Sequence, residues 1–293
     1  MQSTFVMVQM KSVEDPMENL AKAAKYASEA KEKFQADLLL FPEVFMSMFP
    51  SKTPVLESNK AAEPLDGPFV TGMRKLAKDN DVWVVFGMKE KTEEDDGRAY
   101  NTCLVVDNHG EIISKYHKTH MYDAFGYKES NGFKPGDRLF TPIDTPFGKL
   151  GLFVCYEVRF PEVARYEATH GADIILMPTS WVKGDLKTFQ FRTLVTARAI
   201  ENTVFVLACN QCGGATTGES VAVDPMGVAI AAAGETDALV PVFIDTDRIA
   251  QVRKKLPSFG DRRMELYEDG IGMSVTCTKP VDCCRLEESE DNK

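Results

Sequence analysis

The sequence predicts an α/β fold built from two similar halves within one domain, and two observations carry that reading. Short continuous apolar runs, the mark of strands buried on both faces, alternate with helical stretches. Two strand–helix–strand units also end almost alike, as Ala36-Asp37-Leu38-Leu39-Leu40-Phe41-Pro42 and Ala172-Asp173-Ile174-Ile175-Leu176-Met177-Pro178, 136 residues apart.

Thr4–Met10 reads as the first strand. Glu14-Asp15-Pro16 then opens a helix to about Gln35, with acids and a proline in its first turn and lysines later. The Leu38–Pro42 run follows as a strand. A helix fits Phe69–Asp79, and strands fit Val82–Gly87, Asn101–Asp107 and Glu111–Tyr116. The second half repeats the order, with a strand at Gly148–Cys155, a helix from about Phe160 to His170 and a strand at Ala172–Pro178. A helix at Lys187–Glu201 comes next, then strands at Val204–Cys209, Ser220–Asp224, Val228–Ala232 and Leu239–Asp245, and a helix at Asp247–Lys255. Asn108-His109-Gly110 and Pro225-Met226-Gly227 read as hairpin turns. No Ser/Gly-rich linker separates the halves, so residues 1–269 are expected to form one domain. Residues 270–293 are expected to be an acidic tail that frays or wraps a partner.

The 293 residues carry 34 Lys+Arg against 44 Asp+Glu, a net charge of −10, without basic clusters. That balance argues against a nucleic-acid partner. The 44% apolar and 27% charged content fits a soluble globular chain and excludes a disordered one. No apolar run exceeds six residues, the length of Val228 to Ala233, far short of the roughly 20 that a membrane helix needs. The start, Met1-Gln2-Ser3-Thr4-Phe5, has neither the basic region nor the apolar stretch of a secretory signal. Cytoplasmic localisation is the expectation. Seven scattered cysteines fit reduced thiols better than a disulfide framework. Cys209-Asn-Gln-Cys212 follows a strand-like run and has no second pair at zinc-finger spacing, so no metal is called for.

Ligands in open α/β sheets bind beyond the carboxyl ends of the strands. Three reactive side chains stand there: Glu43 after Leu38–Pro42, Lys118 after Ile112–Tyr116, and Cys155 closing Leu150–Val154. A thiol on a strand-to-helix turn is held exposed, and the next backbone N–H can face a developing oxyanion. The competing reading is core packing, since free cysteine is among the most buried residue types. The thiol needs a base. His117 and His120 flank Lys118, so a Cys–His pair is one option. A carboxylate among apolar neighbours, such as Glu43 between Phe41, Pro42, Val44 and Phe45, is another. Lys118 reads as a solvated surface amine or, near a reacting carbonyl, as a stabiliser of negative charge.

Phe41-Pro42-Glu43, Tyr116-His117-Lys118 and Cys155-Tyr156-Glu157-x-Arg159-Phe160-Pro161-Glu162, taken in order, resemble the nitrilase superfamily of carbon–nitrogen hydrolases. The resemblance runs from about Thr4 to Tyr267. It includes Pro178-Thr179-Ser180-Trp181, Arg198-Ala199-x-Glu201-Asn202 and Asp261-Arg262-Arg263-x-Glu265-Leu266-Tyr267. It implies a four-layer α-β-β-α sandwich, a homodimer or higher homo-oligomer, and a Glu43–Lys118–Cys155 triad that works without a cofactor. Glu129 falls where many members carry a second glutamate. Tyr122, Tyr156, Arg159, Thr179 and Trp181 are the candidate oxyanion and substrate-binding residues.

The pattern looks closest to the amidase branch that holds ω-amidases and deaminated-glutathione amidases, which read C-Y-D-x-R-F-P-E. Here Glu157 replaces the aspartate. A carboxylate-bearing amide would suit Arg159, whose alternative is an ion pair with Glu162 or Glu157. The implied function is an amidohydrolase cleaving a small linear amide through a cysteine thioester. The alternatives are an N-carbamoyl amidohydrolase or nitrilase with the same triad, or a non-catalytic scaffold on the same fold.

Overall fold

The computed structural model describes residues 2–268 except 51 and 95. In chain order it runs β1 (Gln2–Gln9), α1 (Pro16–Phe34), β2 (Leu38–Leu40), α2 (Val55–Ser58), α3 (Pro68–Asp79), β3 (Trp83–Lys91), β4 (Ala99–Val106) and β5 (Ile112–His117). Short pieces follow: β6 (Asp123–Ala124), β7 (Tyr127–Lys128), β8 (Phe133–Lys134) and β9 (Ile143–Thr145). The second half holds β10 (Gly148–Leu152), α4 (Pro161–Thr169), β11 (Ile174–Thr179), α5 (Lys187–Asn202), β12 (Phe205–Asn210), β13 (Val221–Val223), β14 (Ala229–Ala232) and β15 (Ala238–Asp245). It closes with α6 (Asp247–Lys255) and α7 (Met264–Glu268).

Local chemistry sets the first crossover. The Asp15 carboxylate accepts the Met17 N–H at 2.7 Å, and Pro16 fills the first helical position, where no N–H is missed. Ala23, Ala27 and Ala30 give α1 a small-residue buried stripe, and Gln35 ends it in the left-handed region at φ 53°. The chain then returns as β2, parallel to β1, with Val6 opposite Leu39.

The strands form two main sheets, ordered β15-β1-β2-β3-β4-β5 (with β8 on β4) and β14-β13-β12-β11-β10-β9. The similar strand ends of the sequence take equivalent places. β2 lies between parallel β1 and β3, and β11 lies between parallel β10 and β12. Along β1, Phe5 and Met7 join the core shared with Leu150, Leu152 and Ile174 of the other sheet. Val6 and Val8 face the opposite way, into a core with Ala23 and Ala27 of α1 and Phe69 and Met73 of α3. Period-two alternation thus sends one side of the strand between the sheets and the other under the helices. Helices α4 and α5 supply Val163, Ala164, Phe191 and Val195 to the first of these cores. The result is the α-β-β-α sandwich.

Two strands end earlier than their apolar runs. β2 stops at Leu40, and β10 stops at Leu152, so Cys155 opens a single 3₁₀ turn, Cys155–Arg159. Cys155 has φ 48°, a left-handed conformation no strand continues through. The expected acidic tail at 270–293 lies outside the described residues.

Candidate active site

The carboxyl ends of β2, β5, β10 and β11 open onto one cavity of about 1220 Å³, lined by Glu43, Lys118, Glu129, Cys155, Tyr122, Tyr156 and Trp181 among others. Glu43 sits on the turn after β2, where Val44 has φ 42°. The β3 backbone supports that turn closely. A Cβ on Gly87 would lie 2.4 Å from the Val44 nitrogen and 2.9 Å from the Glu43 Cα, so only glycine fits there.

Lys118 joins the two carboxylates. Its Nζ donates to Glu43 Oε1 at 2.9 Å and to both Glu129 oxygens at 2.8 and 3.0 Å. Asn101 of β4 donates to the same two side chains, at 2.8 Å to Glu43 and 3.1 Å to Glu129. The Ser180 N–H donates to Glu43 Oε2 at 2.8 Å, and the Tyr122 N–H donates to Glu129 Oε2 at 2.6 Å. All three charged side chains are buried, Lys118 being only 2% exposed, so it is no surface amine. Burial alone would lower its pKa, but Glu129 and Glu43 hold it well above the usual lysine range.

The Cys155 thiol is pushed up to about 12, first by burial and then by Glu43, with Lys118, Thr179 and the Ser180 N–H acting the other way. It therefore rests as a neutral thiol that needs a base. Neither histidine beside Lys118 lines the cavity. His117 meets Glu90 at 2.8 Å and stacks on Tyr100, while His120 turns to Thr119 and stacks on Phe160. The carboxylates are the bases at hand.

Tyr122, Tyr156 and Trp181 form an aromatic wall, with Tyr122 and Tyr156 edge to face at 5.1 Å. Thr179 is fully buried beside the Cys155 thiol and lies outside the cavity lining. Arg159 also stands outside the lining. Its guanidinium donates to Gln190 at 2.8 Å and lies 5.0 Å from the Trp181 ring, and no ion pair with Glu157 or Glu162 forms. Lys187 instead enters the lining, framed by the rings of Tyr122, Phe125 and Trp181 at 4.7–5.1 Å.

Residues 6–254 match the carbon–nitrogen hydrolase family model. The chain belongs to the carbon–nitrogen hydrolase family. It is 37% identical over 206 residues to the deaminated glutathione amidase of Escherichia coli O157:H7, covering 70% of this chain and 78% of that one. It superposes on the NitFhit protein of C. elegans with TM-score 0.83 at 30% identity, over 91% of this chain and 66% of that longer one. A variant amidase from Nesterenkonia sp. AN1, with the acetamide moiety of fluoroacetamide covalently added at its active-site cysteine, aligns with TM-score 0.74 at 26% identity. That match covers 91% of this chain and 95% of the amidase. As a carbon–nitrogen hydrolase, the protein is an enzyme acting on C–N bonds. No helix among the described residues is long and apolar enough to cross a membrane.

Sequence reasoning missed Asn101, Lys187 and the Ser180 N–H. Asn101 carried one faint signal, an amide side chain opening the otherwise apolar run Cys103–Val106.

Proposed function

We propose that this carbon–nitrogen hydrolase is an amidase that cleaves a small linear amide through a thioester on Cys155, releasing ammonia and a carboxylic acid. The observation that carries the reading is one cavity in which the Cys155 thiol shares space with Glu43 and a lysine fixed between two carboxylates. Glu43 takes the thiol proton as sulfur attacks the carbonyl carbon. The Lys118 ammonium and the Tyr156 N–H hold the oxyanion. The C–N bond then breaks, with the Glu43 proton delivered to the departing nitrogen. Water enters, gives a proton to Glu43 and attacks the thioester; the acid leaves and the thiol takes the proton back. Glu129 places Lys118 and the water. Tyr122 and Trp181 shape the acyl pocket, and Arg159 and Thr179 support it through Trp181 and the thiol. The enzyme works as a homodimer or higher homo-oligomer in the cytoplasm, with its own side chains supplying the chemistry.

Ammonia release from a panel of linear amides, N-carbamoyl compounds and nitriles tests this. Amides should be turned over fastest, with an acyl adduct on the Cys155 peptide seen by mass spectrometry of quenched reactions. Turnover confined to N-carbamoyl compounds or nitriles would overturn it.

A further inference from the structure

Lys89 stands on β3 opposite Asn101 of β4 in the antiparallel register. Opposed residues project from the same face of a sheet, so Lys89 emerges beside the amide that holds Glu43 and Glu129. It lines the same cavity as Cys155 and is 3% exposed.

Its ammonium is poorly matched by the protein. One hydrogen bond goes to the Ser58 carbonyl at 3.1 Å, and the Phe49 ring lies 4.9 Å away. An ammonium has three donors. No carboxylate of the described residues pairs with it. Glu90, the next residue, projects to the opposite face and is taken by Thr102, Lys115 and His117. Glu63, nearby in the chain path, accepts the Val70 N–H instead. Burial draws the Lys89 pKa down to about 8.

Two other buried lysines show the contrast, while Lys187, also buried, meets only the Tyr122 hydroxyl and aromatic rings. Lys118 has Glu43 and Glu129, and Lys134 has Glu94 and Asp96. A buried cation is costly unless it is paired, and an aliphatic side chain would fill this strand position without that cost. The missing counter-charge can come from the cavity. Phe49 faces the ammonium, and Val55 and Phe133 are among the residues lining the same cavity, so a linear molecule carrying a negative charge can place that charge at Lys89.

We propose that Lys89 is a specificity-determining residue of this cavity, receiving a carboxylate carried by the amide substrate. The proposal rests on the amidase reading above for its chemistry, while the binding geometry stands apart from it.

The test uses Lys89→Met, which keeps the stem and removes the charge. Rates for glutaramate and for neutral butyramide are measured on parent and variant, and the ratio of their kcat/KM values is compared. The ratio should fall tenfold or more in Lys89→Met, mainly through KM for glutaramate, with part of it restored in Lys89→Arg. A ratio that falls less than threefold overturns the proposal, because a purely structural role would lower both rates together. A second measurement does not depend on turnover. Glutarate binding to Cys155→Ala by calorimetry should weaken at least tenfold when Lys89→Met is added, and equal binding or none by Cys155→Ala overturns the proposal too. Failure of the parent to release ammonia from either amide would count against the amidase reading alone, with the binding pair still deciding Lys89.

Discussion

The carboxylate of Glu157 accepts the backbone N–H of Val154 at 2.7 Å, so the residue two places after the thiol holds the residue just before it. Its other oxygen accepts the Thr119 N–H at 2.8 Å, the Thr119 hydroxyl at 2.6 Å and the Tyr116 hydroxyl at 2.7 Å. One fully buried carboxylate therefore ties the chain beside Cys155 to the chain beside Lys118. Burial opposes its charge, but the bonds from His120, Thr119, Val154 and Tyr116 outweigh that and hold its pKa below the usual range.

Glu157→Ala should leave those donors unmatched, at about 1–3 kcal/mol for each buried orphan. It should lower both Tm and kcat. Glu157→Asp keeps the charge but is one methylene shorter, so on this backbone its carboxylate reaches Val154 and Thr119 less well. We expect its kcat to fall more than tenfold with Tm lowered less than in Glu157→Ala. Thermal unfolding beside steady-state rates checks both, and an unchanged kcat in Glu157→Asp would show that the tie does not set the Lys118–Cys155 geometry.

Cys155→Ala and Cys155→Ser should abolish turnover while leaving Tm within a few degrees. The side chain is small, and serine keeps its volume. Iodoacetamide should inactivate the parent through Cys155. Its rival is Cys212, the other thiol on the cavity wall, whose sulfur donates to Asp237 at 3.0 Å. Cys277, Cys283 and Cys284 lie outside the described residues. Peptide mapping after partial inactivation decides the matter, and label on Cys212 with Cys155 untouched would remove the expected order.

Lys118, after the mixed run Ile112-Ile113-Ser114-Lys115-Tyr116-His117, stood out only through the family resemblance. Glu43 and Cys155 were legible because each follows a strongly apolar run, and polar residues at such strand ends gather at one rim of the sheets. The order of strands was legible for the same reason. β6 to β9 were not, since pieces of two or three residues show no period. Lys89 and Lys187 read like surface lysines, because nothing local to Met88-Lys89-Glu90 or to Leu186-Lys187-Thr188 shows what lies across from them. Only the β3–β4 register, joining residues that are distant in sequence, places Lys89 beside Asn101. Glu157 was half legible. Its reach back to Val154 is local, but its bond to Thr119 spans 38 residues.

Glu167 of α4 is fully buried, and its carboxylate has no side-chain partner among the described residues, with only the Leu152 backbone N–H near enough to favour its charge. Burial, with the nearby Glu157 charge, raises its pKa well above the usual range. The folded state thus keeps a proton that the unfolded state releases above about pH 4.5, so this group's contribution falls as pH rises from there toward its folded pKa. Glu167→Met replaces it with an apolar chain of similar length. Stability at pH 7 should rise, and its decline from pH 5 to 8 should flatten. For a chain of this size 1 kcal/mol appears as about 2–4 °C in Tm. Melting curves across that range check it, and a lower Tm at pH 7 would count against the prediction.

The Glu43→Gln variant separates a base from a bystander that merely anchors Lys118. Glu43 accepts from Lys118 and Asn101 on one oxygen and from the Ser180 N–H on the other, so both sides of the carboxylate face donors. A glutamine keeps the shape but turns an NH₂ toward one of those donors, whichever way the amide is set. Some loss of stability is therefore expected and must be measured first. General base catalysis is worth roughly 10²–10⁴-fold, about 3–5 kcal/mol at 1.4 kcal/mol per decade. The loss in kcat/KM should reach or exceed that range, because Glu43 serves both formation and hydrolysis of the thioester. The two roles also predict different residual chemistry. If Glu43 is the base in both steps, an acyl adduct that does form in Glu43→Gln should persist on Cys155, since the water needed to release it is no longer activated. Intact-protein mass spectra of the variant after exposure to a reactive amide should then show a long-lived adduct where the parent shows a fleeting one. A loss below tenfold with no persistent adduct would pass the base role to Glu129, which shares the same lysine.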